Sequence, residues 1–156
     1  MGKRFENPSA VILLLSRMKD GKEEILLQKR KNTGYFDGYY DFSASGHVEK
    51  NESMADAMCR EAKEELGITI DKRDLQFVCL VHKSDKDEPT YYMGTFKTKK
   101  WTGDLTINES EKIEELKWVD INNLPNNLIG DRYMAIENYK NGICYGEYGW
   151  NKTEEI

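Results

Sequence analysis

Three glutamates with helical spacing are the strongest chemical signal in this chain. Glu61 lies three residues before Glu64 and four before Glu65, so a helix would place their carboxylates on or near one face. Like charges at this spacing destabilise a helix, and negative charge near its C-terminus opposes the helix dipole. Carboxylate oxygens are ligands for hard cations such as Mg²⁺ or Mn²⁺. The three side chains therefore indicate a divalent-metal site.

The neighbouring residues predict the helix that must position these carboxylates. Ser53 is typical of a helix start, because its hydroxyl can accept a hydrogen bond from the backbone three residues on. The segment up to Leu66 is rich in Ala, Met, Glu and Lys, which are good helix formers. Gly67 suits the left-handed turn that ends a helix. We expect a helix over residues 53–66.

The whole stretch resembles the signature of the Nudix hydrolases of the MutT-like type. From Gly46 to Ile68 it reads GHVEKNESMADAMCREAKEELGI, with every glycine and charged position of that signature filled. The resemblance implies Mg²⁺, or Mn²⁺, as the cofactor. It implies the following metal ligands: the carboxylates of Glu61, Glu64 and Glu65 and the backbone carbonyl of Gly46. It implies catalytic roles for Glu64 and Glu65 as well.

Two further charged residues match orienting positions of the signature. Arg60, which we group with the catalytic residues, and Glu52 are implied to hold the site in place. We expect the Arg60 side chain to face away from Glu61 and to reach back toward Glu52 or Glu64.

Candidates outside this stretch follow from weaker signals. The segment containing Trp101 and Glu109, ahead of Trp118, resembles a pattern of Nudix members that act on nucleoside triphosphates. It implies that Glu109, with Glu111 in reserve, is a further metal ligand or the catalytic base. For substrate binding we name three residues: Arg30 as a phosphate contact, His47 beside the motif glycine, and Trp101 as a ring on which a base can stack.

The remaining sequence alternates predicted strands and helices. The predicted strands are residues 10–16, 24–29, 75–82, 90–97 and 116–119, with a strand or loop at 40–44 and a turn at 19–22. A second helix is predicted over 131–141, with Ile129, Tyr133 and Ile136 on one stripe and Gly142 as its stop. The pattern predicts an α/β fold. The resemblance implies an α/β/α sandwich with a mixed β-sheet between helices.

The resemblance covers about residues 8–141 of one domain that we expect to span 1–156. The tail, 142–156, carries Tyr145, Tyr148 and Trp150, and we expect it to dock on the body of the domain. The net charge of −5 argues against binding of a nucleic acid polymer. Three widely spaced cysteines and the absence of a long apolar run predict a cytoplasmic protein with reduced thiols, outside the membrane. A homodimer is an open possibility.

These observations favour a metal-dependent hydrolase of phosphoanhydride bonds in a nucleoside diphosphate linked to another group. A nucleoside triphosphate, possibly oxidised, is the first choice, because the proline of ADP-ribose-hydrolysing members is replaced here by Ser84-Asp85. An ADP-ribose or nucleotide-sugar pyrophosphatase is the alternative. Two other classes stay open: an isoprenoid diphosphate isomerase, with Cys79 as the only central cysteine, and a non-catalytic nucleotide sensor.

Overall fold

The structure is a computed structural model, and it describes residues 2–85 and 90–150. Its elements are β1 (Ser9–Lys19), β2 (Lys22–Arg30), β3 (Tyr40–Phe42), β4 (Ala44–His47), α1 (Met54–Leu66), β5 (Gln76–Lys83), β6 (Tyr91–Thr98), β7 (Ile113–Asp120), α2 (Gly130–Asn141) and β8 (Tyr145–Tyr148), with a 3-10 turn at Lys72–Asp74. The predicted strands and helices are therefore present. Strands β1, β2 and β7 are longer than predicted, whereas β5 and β6 have the predicted length and are shifted by one residue. Residues 86–89 of the predicted connection between β5 and β6, and 151–156 of the tail, lie outside the described residues.

A mixed sheet forms the centre of the fold. In the described part of the chain eight strands are joined in the order β3-β2-β1-β6-β5-β8, with β4 also paired to β1 and β7 also paired to β2. The β1–β6 and β5–β8 pairs are parallel, whereas the other pairs are antiparallel. The β1–β2 hairpin turns at Asp20 and Gly21, where φ is 53° and 76°, as the sequence predicts for a tight two-residue turn.

Strand β1 explains why helices cover both faces of this sheet. Its apolar run is buried throughout, and successive side chains point to opposite faces. Val11, Leu13 and Leu15 pack in one cluster with residues of α1, while Ile12 and Leu14 pack in another with residues of α2. The predicted α/β/α sandwich is confirmed.

Helix α2 differs from its predicted face. It ends at Gly142 in the left-handed region, as predicted, but Tyr133 is 50% exposed. The buried face instead carries Asp131 and Arg132 in its first turn. The predicted stripe is wrong at Tyr133, because paired charges and not an aromatic ring occupy the inward positions.

The first part of the tail docks as predicted. Strand β8 pairs in parallel with β5, and the indole N–H of Trp150 donates a hydrogen bond of 2.8 Å to the carbonyl of His82. The described part of the chain has no helix that is long and apolar enough to cross a membrane. Its three cysteines are free, with Cys79 buried and Cys144 exposed, so the expectation of buried thiols is wrong for Cys144.

Candidate active site

Helix α1 begins and ends at the residues that the sequence predicts. The Ser53 hydroxyl accepts a hydrogen bond of 3.1 Å from the N–H of Asp56, and Gly67 takes a φ of 70° just beyond the last turn. One face of the helix is fixed on the sheet by its buried residues: Ala57, Met58, Ala62 and Leu66. This orientation directs the glutamates of the last turns toward β4.

Glu65 is the most deeply placed of the three glutamates. Its Oε2 accepts a hydrogen bond of 2.8 Å from the backbone N–H of Ser45 in β4. The pKa of Glu65 is raised to about 8, chiefly by burial and in part by the charges of Glu61 and Glu109, against the lowering effect of the Ser45 N–H. A carboxylate in this position is poorly compensated by the protein alone.

Gly46 leaves the space that Glu61 occupies. A Cβ atom at position 46 would lie 2.0 Å from Oε1 of Glu61, so no larger residue fits without moving this carboxylate. Burial raises the pKa of Glu61 above its ordinary value, Arg60 lowers it, and the charges of Glu64 and Glu109 raise it. The Glu61 carboxylate can therefore occupy this position only because residue 46 is a glycine.

Arg60 connects the helix to the loop that precedes it. Its guanidinium donates to both carboxylate oxygens of Glu52, at 2.7 and 3.1 Å, and to the carbonyl of His47 at 3.1 Å. It also donates to Glu61 at 2.8 Å and to Glu64 at 3.2 Å. The expectation that Arg60 faces away from Glu61 is wrong, because the long side chain curls back along the helix. These bonds are the contacts that an orienting residue requires.

The loop before β7 brings Glu109 to the same place. Asn108 holds this loop on the last turn of α1: its side-chain amide donates to the carbonyl of Glu64 at 3.0 Å, and its backbone N–H donates to the carbonyl of Glu65 at 3.2 Å. Glu109 lies in one cleft with Glu65. Glu111, the reserve candidate, is exposed and does not line this cleft.

The donor set fits a hard divalent cation. Among residues 2–85 and 90–150, no three His, Cys, Asp or Glu side chains are already gathered tightly enough to hold a metal ion, because Glu61 is paired with Arg60 and Glu65 with the Ser45 N–H. However, the carboxylates of Glu61 and Glu65 are both partly buried, repel one another and have raised pKa values. Oxygen ligands of this kind suit Mg²⁺ or Mn²⁺.

Two neighbouring cavities meet beside Gly46. The first, which we call the carboxylate cleft, is lined by Gln28, Arg30, Asn32, Thr33, Ser45, Gly46, His47, Glu65, Glu109, Lys112 and Ile113. The second, the inner cavity, has a volume of about 270 Å³ and is lined by Ala10, Ile12, Arg30, Tyr35, Ser45, Gly46, His47, Lys83, Tyr91, Met93 and Arg132. Arg30, Ser45, Gly46 and His47 line both cavities.

The structure brings two of the three predicted substrate contacts to these cavities. Arg30 and His47 line both, and the His47 ring stacks on Tyr91 with 5.5 Å between ring centroids. Trp101 lines neither cavity. It packs beside Trp118, with centroids 6.2 Å apart, against the apolar cluster that includes α1. The prediction of Trp101 as a base-stacking ring is not supported, because the ring is taken up by the core.

The sequence did not reveal four residues of the inner cavity. Tyr35, Lys83 and Arg132 line it, and Asp131 contacts both Lys83 and Arg132 at 3.4 and 2.6 Å. Lys83 was not identified as a site residue because it lies at the polar end of an apolar strand. An Asp-Arg pair in the first turn of α2 was the available signal, since charged residues at inward helix positions need partners.

A comparison with protein-family models matches residues 6–138 to the NUDIX domain. The chain belongs to the Nudix hydrolase family. A solved relative of similar fold is the MutT NUDIX hydrolase from Burkholderia pseudomallei, with a TM-score of 0.74 and 25% identity over 86% of this chain and 98% of that one. The NUDIX domain of Shewanella oneidensis NrtR, solved with ADP-ribose, shares the fold with a TM-score of 0.69 and 16% identity, covering 90% of each chain.

Two relatives match this Nudix hydrolase in sequence. The uncharacterized Nudix hydrolase YvcI of Bacillus subtilis is 29% identical over 139 residues, which cover 86% of this chain and 84% of the relative. A prenyl-diphosphate phosphatase of Methanosarcina mazei is 29% identical over 124 residues, covering 79% of this chain and 68% of the relative. The fold and the hydrolase class are thereby shown.

Proposed function

We propose that this Nudix hydrolase uses Mg²⁺ to hydrolyse the bond between the α- and β-phosphates of a nucleoside triphosphate, releasing a nucleoside monophosphate and pyrophosphate. The observation that supports this best is the meeting of Glu65 and Glu109 in one cleft. The helix supplies the first carboxylate and the loop before β7 supplies the second. The cleft opens beside a cavity of the size needed for a substrate head group.

The site residues have different roles in the proposed hydrolysis. Glu61, Glu64, Glu65 and the Gly46 carbonyl would hold Mg²⁺, with Mn²⁺ as a possible substitute. When bound, the ion would neutralise phosphate charge and lower the pKa of a water molecule. Arg30 and Lys112 line the cleft and are the cations available to hold phosphate oxygens.

Glu109 is the base in this scheme. As the water oxygen forms a bond to the α-phosphorus, the anhydride P–O bond breaks and pyrophosphate leaves, while the proton of the water passes to the Glu109 carboxylate. Arg60 does not take part in proton transfer. It fixes Glu61 and the Glu52 loop through the bonds described above.

The other open classes have less support from the geometry. An isomerase mechanism needs a reactive cysteine in the pocket, but Cys79 is buried in the core beside α2, lines neither cavity, and burial raises the pKa of its thiol. A non-catalytic sensor would not need the carboxylates that this site keeps. These points favour the hydrolase.

Product analysis tests the proposal. Wild-type protein with Mg²⁺ should convert a nucleoside triphosphate to monophosphate and pyrophosphate, with a kcat/KM at least about tenfold above that for ADP-ribose. Glu109→Gln should lower kcat roughly 10²-fold or more with little change in KM, since a base acts in the transition state. Glu111→Gln is the matched control, because it removes a carboxylate from the same loop but outside the cleft.

Release of orthophosphate and a nucleoside diphosphate would contradict the bond assignment. A preference for ADP-ribose or a nucleotide sugar would overturn the substrate. Equal activity of Glu109→Gln and Glu111→Gln would remove Glu109 from the mechanism.

A further inference from the structure

The inner cavity lies beside the carboxylate cleft. They share Arg30, Ser45, Gly46 and His47. If the phosphates of a substrate lie in the cleft, as the proposed function requires, the group at its other end enters the inner cavity. The chemistry of this cavity therefore determines which head group the enzyme accepts. The inference rests on the proposed function in this respect.

The inner cavity carries more positive than negative charge. Three cationic side chains line it, Arg30, Lys83 and Arg132, and they are paired with two buried carboxylates, Asp41 and Asp131. Three cations against two carboxylates leave a net charge of +1 among these five side chains, although each cation contacts a carboxylate. Burial lowers the pKa of Lys83, but Asp131 and the Tyr35 hydroxyl outweigh this and raise it above its ordinary value. Lys83 is therefore charged at neutral pH.

These cations are held in fixed positions. Arg132 donates through Nε to Asp41 at 2.7 Å and through Nη1 to Asp131 at 2.6 Å. Arg30 donates through Nε to the Tyr35 carbonyl at 2.8 Å and through Nη1 to Asp41 at 3.1 Å. Donors fixed in this way bind a ligand with matching acceptors more tightly, because little side-chain entropy is lost on binding.

Hydrogen-bond donors remain for a ligand. Lys83 Nζ donates to the Tyr35 hydroxyl at 2.7 Å and contacts Asp131 at 3.4 Å, which leaves one of its three N–H groups. Nη2 of Arg30 has no hydrogen-bond partner among the described residues. The cavity thus offers N–H donors from two side chains, and a ligand oxygen is their natural acceptor.

The remaining walls suit a flat ring. They consist of Ala10, Ile12, Met93 and the rings of Tyr35 and Tyr91. A phosphate alone would gain nothing from these apolar surfaces. An isoprenoid tail, conversely, would bury the ammonium and guanidinium donors against hydrocarbon and leave them unpaired, which is costly.

We propose that the inner cavity selects nucleobases that carry a carbonyl oxygen where cytosine and adenine carry an amino group, namely uracil, thymine and guanine. The carbonyl accepts a hydrogen bond from the remaining N–H of Lys83, while Arg30, which lines both cavities, stays available to the phosphates. An amino group in its place sets N–H against N–H and leaves a buried donor unsatisfied. The substrate class is therefore the keto-base nucleoside triphosphates, and Lys83 is a specificity-determining residue.

Two matched substrate pairs test this selection. UTP and CTP differ at the pyrimidine 4-position, oxygen against amino, and in the proton on N3. GTP and ATP differ in the same way at the purine 6-position and N1, and GTP also carries a 2-amino group. With Mg²⁺, kcat/KM should be at least about tenfold higher for the keto member of each pair, as expected when buried donors lose their acceptor. Similar kcat/KM values within both pairs, or a preference for CTP and ATP, would overturn the proposal.

The chain offers a close control for the key residue. Lys97 is also buried, donates to a tyrosine hydroxyl, that of Tyr139, at 2.6 Å, and pairs with a carboxylate, that of Glu23, at 2.8 Å, but it lines neither cavity. Lys83→Met should reduce the UTP/CTP ratio of kcat/KM toward one, whereas Lys97→Met should keep the wild-type ratio. An unchanged ratio in Lys83→Met would refute the assignment of Lys83.

Two further measurements test the proposal if the first experiments give no result. If Lys83→Met does not fold, Tyr35→Phe removes only the hydroxyl that positions the ammonium group, and the ratio should fall in that variant. An unchanged ratio there counts against Lys83. If no nucleoside triphosphate is hydrolysed, the proposed function fails, and thermal shifts with UMP and CMP decide the binding claim. A larger shift with UMP supports it, and equal or absent shifts overturn it.

Discussion

At the scale of single residues, the site is built from charges that the protein does not fully compensate. Glu65 is partly buried, and among the described residues only the Ser45 N–H donates a hydrogen bond to its carboxylate. Glu61 shares Arg60 with Glu52 and Glu64. A protein that keeps such carboxylates together loses stability unless a cation joins them. The structure thus links the stability of the protein to the ion that its catalysis is proposed to need.

Metal should therefore stabilise the folded protein. A ligand that binds only the native state raises its melting temperature by mass action. We expect Mg²⁺ or Mn²⁺ at millimolar concentration to raise the melting temperature of the wild type, and the rise to shrink in Glu61→Gln. Differential scanning fluorimetry with and without EDTA measures this, with Glu111→Gln as the control that keeps the full shift. No shift in the wild type would argue against the metal site.

A second residue-scale prediction concerns Asp131. Burial raises its pKa, but Arg132 and Lys83 outweigh burial and hold the pKa below the ordinary value of 3.8. The charged carboxylate therefore stabilises the fold above about pH 4, and this contribution is lost as the pH falls through the lowered pKa. Asp131→Asn should lower the free energy of unfolding by about 3–5 kcal/mol at neutral pH, because it leaves buried cations unpaired.

Denaturant unfolding at several pH values checks the Asp131 prediction. The difference between wild type and Asp131→Asn should shrink in acid. Asp71→Asn, which breaks the exposed pair with Arg73, should change stability little at any pH. A difference for Asp131→Asn that stays constant from neutral to acid pH would contradict the account.

At the scale of elements, local signals predicted more than long-range ones. The cap at Ser53 and the stop at Gly67 act within one turn, so the sequence alone predicted α1 and its glutamates. Arg132 meets its partner Asp41 across a separation of 91 residues, and no local pattern predicts that pairing. For the same reason the polar inner face of α2 and the position of Trp101 in the core were not predicted.

The loop before β7 provides a prediction at this scale. Asn108 fastens the loop to the last turn of α1 through two hydrogen bonds, so Asn108→Ala should misplace Glu109. We expect kcat to fall roughly tenfold or more, since small displacements of a catalytic group are costly, with little change in melting temperature. Ser110→Ala, in the same exposed loop, is the control. Wild-type kcat in Asn108→Ala would show that the loop needs no such anchor.

At the scale of the whole molecule, the two helices and the docked tail have different roles. Helix α1 carries the carboxylates and α2 carries Arg132 of the inner cavity, so the site lies where both helices approach β1, β4 and β6. The described tail residues line neither cavity, but β8 pairs with β5 at the edge of the sheet, with Tyr148 opposite Lys83. The docking of the tail followed from its aromatic composition, but its strand pairing did not, since parallel pairing with β5 depends on the finished sheet.

Measuring the free energy of unfolding and kcat/KM separately in a tail variant tests whether the tail contributes to stability alone. Trp150 stacks near His82, with 4.6 Å between ring centroids, and donates to its carbonyl. Trp150→Ala should lower the free energy of unfolding by roughly 1–2 kcal/mol and leave kcat/KM unchanged below the melting temperature. Tyr133→Ala, which removes a ring of similar exposure, should cost less. A loss of kcat/KM in Trp150→Ala without a loss of stability would connect the tail to the active site.

The central claim is that carboxylates of α1 hold a divalent ion that drives pyrophosphate release. The most direct measurement is the rate of pyrophosphate release from UTP as Mg²⁺ is titrated into EDTA-treated protein, for the wild type, Glu65→Gln and Glu111→Gln. We predict no activity without metal, saturable activation of the wild type and of Glu111→Gln, and a maximal rate at least about 10²-fold lower for Glu65→Gln. Full activity in EDTA, or wild-type activation of Glu65→Gln, would contradict the account.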